Sequence, residues 1–235
     1  MKKNNEIKYH IEVDIALKKN PYEGLYIAFE GIDGSGKSTQ SEKLEKYLRE
    51  KGRPFIFTSE PRKEGSPVGI LIHQILQAKV KIPMEAMQYL YTAERIANHS
   101  EVIEPALKKG ETVISHRSLW SNLPYGMLDK GTPDYSSNDA RFIDEVHGLM
   151  SLYHQFIVPD ITFYLKVSVE TAIKRLSAMD KVKEIYEKKE KLEKIIQGYE
   201  WEVSEYPDEF TVLNGEESEE KVFAQIKKIV DQNLK

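Results

Sequence analysis

An α/β fold built on a parallel sheet is what this sequence predicts, and three observations carry the prediction. Five short apolar runs, rich in β-branched and aromatic residues, alternate with longer segments of helical spacing. The first run passes at once into a glycine-rich turn and then a charged, helix-compatible segment. The chain of 235 residues suits one large domain, in which βα units gather ligand sites at the carboxyl ends of the strands.

Residues 1–24 read as an N-terminal extension, with a short apolar patch from Ile11 to Leu17 broken by Asn20, Pro21 and Gly24. The first strand is Leu25 to Phe29, and the domain runs from there to residue 235. Gly31 to Ser38, G-I-D-G-S-G-K-S, is a full match to the phosphate-binding pattern G-x-x-x-x-G-K-[ST]. Its glycines let successive backbone N–H groups curl inward toward phosphate oxygens, and the helix after them offers its positive end. Gly31, Ile32, Asp33, Gly34, Ser35, Gly36, Lys37, Ser38 and Thr39 are therefore assigned to the phosphates of a nucleotide. Lys37 reaches the outer phosphates, and the Ser38 hydroxyl is placed to ligate Mg2+.

Leu44, Tyr47 and Leu48 mark a helix over Thr39 to Gly52, and Phe55 to Thr58 form the second strand, ending in Ser59-Glu60-Pro61. A short helix is expected from Ser66-Pro67 to Gln77 and a long one from Pro83 to Lys109, with Gly110 as its cap. Thr112 to Ser115 is the third strand, closing in His116-Arg117. Glycine, proline, asparagine and serine predict a loop over Trp120 to Ser137, then an amphipathic helix over Asn138 to Gln155. The fourth strand is Ile161 to Val167, and Ser168 caps a helix with Glu170 in its first turn. A lysine- and glutamate-rich run from Met179 to Lys194 precedes the fifth strand, Phe210 to Leu213, and a closing helix, Ser218 to Leu234.

Composition excludes several classes of function. A net charge of −4 and a pI near 6.0 argue against nucleic-acid binding, which requires a dense basic face. No apolar run reaches 18 residues, so no membrane span is expected, and MKKNNEIKYH has no apolar core of a secretory signal. Without cysteine there is no disulfide or thiol chemistry, which permits a reducing cytoplasm, the location expected for this chain.

Together the phosphate loop, Glu60-Pro61, Tyr91 and Arg95 in YTAER, and Arg117 followed by Asn122 and Tyr125 resemble the thymidylate kinase family of nucleoside-monophosphate kinases. The resemblance implies a P-loop NTPase three-layer α/β/α sandwich with a five-stranded parallel sheet and a helical lid at about 176–192. It also implies that the nucleotide in the loop is ATP, that the reaction is ATP-dependent phosphorylation of thymidine monophosphate, dTMP, to the diphosphate, and that the chain forms a homodimer. It matches Asp33 to the family's loop aspartate, with a catalytic and metal-binding role beside Ser38. Glu60, Tyr91, Arg95, Arg117, Asn122 and Tyr125 become the substrate-binding set: Tyr91 stacks on the thymine ring, Arg95 bonds its edge or the monophosphate, and Arg117 grips the acceptor phosphate. Lys37, Asp33, Arg117 and Arg175 form the catalytic set. Asn122 and Tyr125 lie along the sugar, where a tyrosine wall disfavours ribose.

Three positions depart from the family. His116 stands where the family has aspartate, with Glu30, Asp33 or Glu60 as replacements near the metal. The lid run has lysines but no arginine, which leaves Arg175 with Lys181 or Lys183 to stabilise the transferring group. Lys166 replaces an acidic residue, either assisting a phosphate or extending outward. Two alternatives stay open: a kinase for another deoxynucleotide or a deoxynucleoside, and a nucleotide-binding protein with weakened catalysis.

Overall fold

The computed structural model describes residues 16–129, 131, 135, 140–178 and 185–234. Five parallel strands, β1 (Tyr26–Glu30), β2 (Phe55–Ser59), β3 (Thr112–His116), β4 (Ile161–Lys166) and β5 (Thr211–Asn214), lie in the order β2-β3-β1-β4-β5. The order reverses at central β1, so the crevice at its carboxyl end is the site this topology provides.

Alternation along the strands sorts side chains between the two faces. Ile27, Phe29, Ile114, Phe163 and Leu165 pack with Leu44 and Leu48 of α1 (Lys37–Glu50) and with Val222, Ile226 and Val230 of α9 (Glu219–Asn233). The opposite face carries Tyr26, packed with Ile103, Ala106 and Leu107, and Tyr164, packed with Trp120, Leu123, Tyr153 and Tyr199. This parity turns Glu30 toward the second layer and His116, two residues after Ile114, toward α1.

The expected helix after Ser66 is α2 (Pro67–Leu76), with the Ser66 side chain accepting from the Gly69 N–H. The long helix expected from Pro83 to Lys109 is a continuous series: a 3₁₀ turn, α3 (Met87–Asn98), one π turn (His99–Ile103) and α4 (Glu104–Lys108). Pro105 explains the π turn, because in an unbroken α-helix its ring would strike the carbonyl of Glu101.

The loop expected over Trp120 to Ser137 is corrected in its first part. Leu119–Ser121 form a 3₁₀ turn and α5 (Asn122–Asp129) comes next, while residues 130, 132–134 and 136–137 lie outside the described residues. Pro124 lies in the first turn, where no intrahelical N–H is required. Gly126 serves packing: a Cβ there would lie 2.9 Å from the Leu149 side chain of α6 (Ala140–Met150).

Ser168 caps α7 (Val169–Ser177) as expected, and Ser218, the expected start of the closing helix, caps α9. The lysine-rich run enters α8 (Ile185–Glu205), which is longer than the run itself; Lys181 and Lys183 lie outside the described residues. Gly198 brings α8 close to α5, since a Cβ there would meet the Pro124 Cα at 2.8 Å. Of the proposed extension, residues 1–15 lie outside the described set. Its remainder is tied to the domain by Lys18, bridged to Ile157, and by Asn20 Nδ2, which donates to Asp160 at 2.7 Å. Among the described residues no helix is long and apolar enough to cross a membrane.

Candidate active site

The phosphate loop leaves β1 and enters α1, as its sequence predicts. Gly34 has φ +84°, and a Cβ there would lie 2.7 Å from the Ala172 carbonyl, so the loop can pass against α7 only with glycine at this position. Lys37 Nζ donates to the Gly31 and Ile32 carbonyls, both at 2.8 Å, and lies 4.0 Å from Asp33. Burial, with the Arg117 charge, lowers its pKa to about 7. A phosphate would oppose both effects by supplying negative charge. Ser38 is exposed at the head of α1, with its Oγ 3.4 Å from His116 Nε2. Burial and the neighbouring Lys37 and Arg117 charges bring the His116 pKa down to about 3, so the imidazole is neutral at physiological pH.

Arg117 is the centre of the acceptor side. Its backbone adopts φ +77°, a left-handed conformation rare outside glycine, held by its N–H to the Phe29 carbonyl and by Ser115 Oγ donating to its own carbonyl. Such a conformation costs about 1–3 kcal/mol and persists because the surroundings over-determine it. The guanidinium lies over the Tyr125 ring at 4.7 Å. Nη2 donates to Asp33 at 2.9 Å and to the Tyr125 hydroxyl at 2.7 Å; Nη1 donates to Ser121 Oγ at 3.2 Å and to the Tyr199 hydroxyl at 3.1 Å. Close packing raises the pKa of Asp33, but Arg117 and Lys37 outweigh it and lower it to about 2. Its side chain is 67% exposed, so this carboxylate stands at the open mouth of the site.

Beneath Arg117, Glu30 is fully buried and accepts four bonds: the Ser118 N–H at 2.7 Å, Ser118 Oγ at 2.8 Å, Ser121 Oγ at 2.6 Å and the Tyr199 hydroxyl at 2.7 Å. This corrects the expectation that Glu30 replaces a metal-binding aspartate, since both of its oxygens are bonded inside the protein. Glu60 is likewise buried and paired with Arg95 Nε, with Asn98 Nδ2 at 3.5 Å. It holds the arginine from behind.

The structure brings most of the expected substrate residues together. Arg95 also donates to the Ser118 carbonyl at 3.1 Å, and its Nη1 is a buried donor with no hydrogen-bond partner among the described residues. Asn122 Nδ2 is another such donor. Tyr91 lies within electrostatic reach of Asp129, Arg117, Asp33 and Arg95; burial first, then Asp129, raises its pKa to about 12. Arg175 is placed differently from a free catalytic cation. It donates to the Gly34, Ser35 and Gly215 carbonyls at 3.3, 3.4 and 2.8 Å and so clamps the outer edge of the loop. Lys166 extends outward to Glu200 at 2.7 Å, the second of the two placements foreseen for it.

Sequence reasoning missed Tyr199, Ser118 and Ser121. Leu192, Ile195 and Tyr199 are spaced three and four apart, a helical signal that could have placed Tyr199 on a buried face. Ser118 stands out only as the end of the His-Arg-Ser run at 116–118, with no role attached, and nothing in the sequence marks Ser121.

Comparison with known proteins agrees with this geometry. The thymidylate kinase family model matches residues 29–226. A thymidylate kinase of Thermosipho africanus is 34% identical over 215 residues, covering 89% of this chain and 99% of the relative. One of Caldicellulosiruptor saccharolyticus is 32% identical over 90% of this chain and 98% of its own length. A probable thymidylate kinase of Methanocaldococcus jannaschii is 35% identical over 75% of this chain and 80% of the relative. With a phosphate loop on central β1, an arginine facing it from β3, and similarity across nearly the full length, the chain belongs to the thymidylate kinase family.

Proposed function

We propose that this chain transfers the terminal phosphoryl group of ATP to thymidine monophosphate, with Lys37 on the donor side and Arg117 on the acceptor side. One observation carries the residue assignment: Lys37 Nζ and Arg117 Nη2 approach the same oxygen of the Asp33 carboxylate, at 4.0 and 2.9 Å. Two cations that converge on one point, each within reach of an anion, are what in-line transfer between two phosphates needs.

Donor phosphates take the loop N–H groups and the Lys37 ammonium, which gives up its two carbonyl acceptors for them. The acceptor phosphate takes Arg117 in place of Asp33, while Tyr125, Ser121 and Tyr199 keep the guanidinium plane in position. The attacking oxygen belongs to an ionised phosphate, so no general base is required. Tyr91 supplies a face for the base, the free Nη1 of Arg95 and Nδ2 of Asn122 donate to base or sugar, and Arg175 keeps the loop from splaying. Ser38 would hold a divalent cation, Mg2+ by family expectation, which neutralises charge on the phosphate oxygens when bound. Asp33, which gives its Oδ1 to Arg117, would stand beside that cation at the open mouth of the site. We assign the reaction to the cytoplasm, where ATP is supplied.

Exposed Phe57, Ile70, Leu76, Met84, Tyr89 and Ile96, from β2, α2, α3 and the turn before α3, support the proposal of a homodimer, which sedimentation equilibrium tests directly. The activity is tested by coupled ADP release with ATP and thymidylate, uridylate, deoxyuridylate, deoxycytidylate, guanylate and free thymidine. Turnover selective for thymidylate and lost in Lys37→Ala and Arg117→Ala is expected. Turnover of none of them, with nucleotide still bound, refutes the kinase reading.

A further inference from the structure

The metal-binding half of the site contains a donor that suits magnesium poorly. Alternation along β3 sends His116 to the face covered by α1, where its Nε2 meets Ser38 Oγ at 3.4 Å. Of the neighbouring carboxylates, Glu30 is engaged through both oxygens by Ser118, Ser121 and Tyr199, Glu60 is paired with Arg95, and the exposed Asp33 gives its Oδ1 to Arg117. Apart from the exposed Asp33, the side-chain donors that converge beside the phosphate loop among the described residues are one hydroxyl oxygen and one imidazole nitrogen. If each lay about 2.1 Å from a shared cation, a separation of 3.4 Å would set the angle between them at roughly 110°, the four-coordinate value, and an approach to about 3.0 Å would give the roughly 90° of a six-coordinate site.

We propose that His116 Nε2 is a direct ligand of the nucleotide-bound cation, and that this nitrogen turns the site's preference from Mg2+ toward nitrogen-accepting first-row cations such as Mn2+ and Co2+. Magnesium takes oxygen ligands and gives up its waters reluctantly, whereas imidazole affinity rises along the first-row series toward copper. The inference rests on the kinase reading above, because the other ligands are nucleotide phosphates and water. It goes beyond that reading by naming the ligand and the class of metal.

Pulsed electron paramagnetic resonance of the Mn2+–ADP complex tests it on full-length protein carrying 15N only in histidine. Coupling of Mn2+ to 31P reports the nucleotide in the cradle, and coupling to 15N reports histidine on the metal. Both couplings are expected, with the 15N signal lost in His116→Asn and the 31P signal retained. Phosphorus coupling without 15N coupling, or a 15N signal that survives His116→Asn, overturns the assignment of His116 and leaves the nucleotide site intact. Absence of 31P coupling overturns the cradle reading and this inference with it. In a second measurement, the ratio of Co2+ to Mg2+ affinity at saturating ADP is expected to fall about tenfold in His116→Asp, the lower end of what loss of a metal-supporting contact costs. An unchanged ratio refutes the preference.

Discussion

Removing one oxygen atom from Tyr199 tests whether the buried network beneath Arg117 sets its catalytic position. In Tyr199→Phe the ring keeps its stacked contact with Tyr164, whose centroid lies 5.1 Å away, so no cavity opens. The hydroxyl takes with it the bond it donates to Glu30 at 2.7 Å and the one it accepts from Arg117 Nη1 at 3.1 Å. Two charge-assisted bonds are lost, but Glu30 keeps three donors and Arg117 Nη1 keeps Ser121, so neither charge is left without a partner and the net loss is about 2 kcal/mol. For a chain of this length that corresponds to a fall of about 4–8 °C in thermal midpoint, readable by calorimetry. Because the guanidinium loses one of its four fixed acceptors, kcat/KM for thymidylate should fall about tenfold, or about 1.4 kcal/mol, while KM for ATP stays near its wild-type value. A midpoint shift too small to resolve would show that the network carries no weight. An equal rise in KM for ATP would show that Tyr199 acts on the whole site rather than on Arg117.

Three further outcomes are expected from the same geometry. Glu202 of α8 is fully buried with no hydrogen-bond partner among the described residues, and burial, reinforced by Glu30, holds its pKa well above the usual carboxylate range. The folded chain thus binds a proton that the unfolded chain releases, so this contribution to stability is complete below the unfolded pKa and is lost as pH rises toward the folded value. Glu202→Gln removes that loss, and the midpoint advantage of the variant over wild type should grow from about pH 5 to about pH 8; a constant difference would refute the protonated state. Glu60→Ala leaves Arg95 charged, buried and short of its main partner, which should cost about 3–5 kcal/mol and lower the midpoint by about 10 °C, with partial recovery in Glu60→Ala/Arg95→Met. Lys166→Ala breaks an ion pair whose side chains are half exposed, and should leave stability within about 0.5 kcal/mol and activity unchanged; a loss of activity would return Lys166 to the site.

The donor side of the site was legible in the sequence because a backbone conformation, here the curled loop, needs particular residues at fixed spacing. Lys37 and Ser38 could be placed from the motif, and Arg117, Asn122, Tyr91 and Arg95 from their similarity to a family. The wrongly expected loop shows the limit of composition: Asn122, Pro124 and Gly126 are turn formers, yet in α5 the proline occupies a first-turn position and the glycine allows a close helix contact. Tertiary contact, absent from any local window, decided between the two uses. The long α8 was obscured for a related reason, since Glu202 interrupts its apolar stripe with a buried acid. Glu30 has the same character, an acid at the end of an apolar strand whose role rests on serines and a tyrosine distant in sequence.

The π turn at His99–Ile103 has a consequence for how one long rod can serve two layers. Each added residue rotates the succeeding turns by about 100° around the helix axis, so a single wide turn resets the phase between the halves. The amino-terminal half presents Tyr91, Arg95 and Asn98 to the site, and the carboxyl-terminal half presents Ile103, Ala106 and Leu107 to the sheet. Deleting one residue within the turn would return it to α-helical phase and put these two faces out of step. The ligand-facing and sheet-facing surfaces of this segment are therefore joined by an angular offset, which substitutions on either face cannot restore.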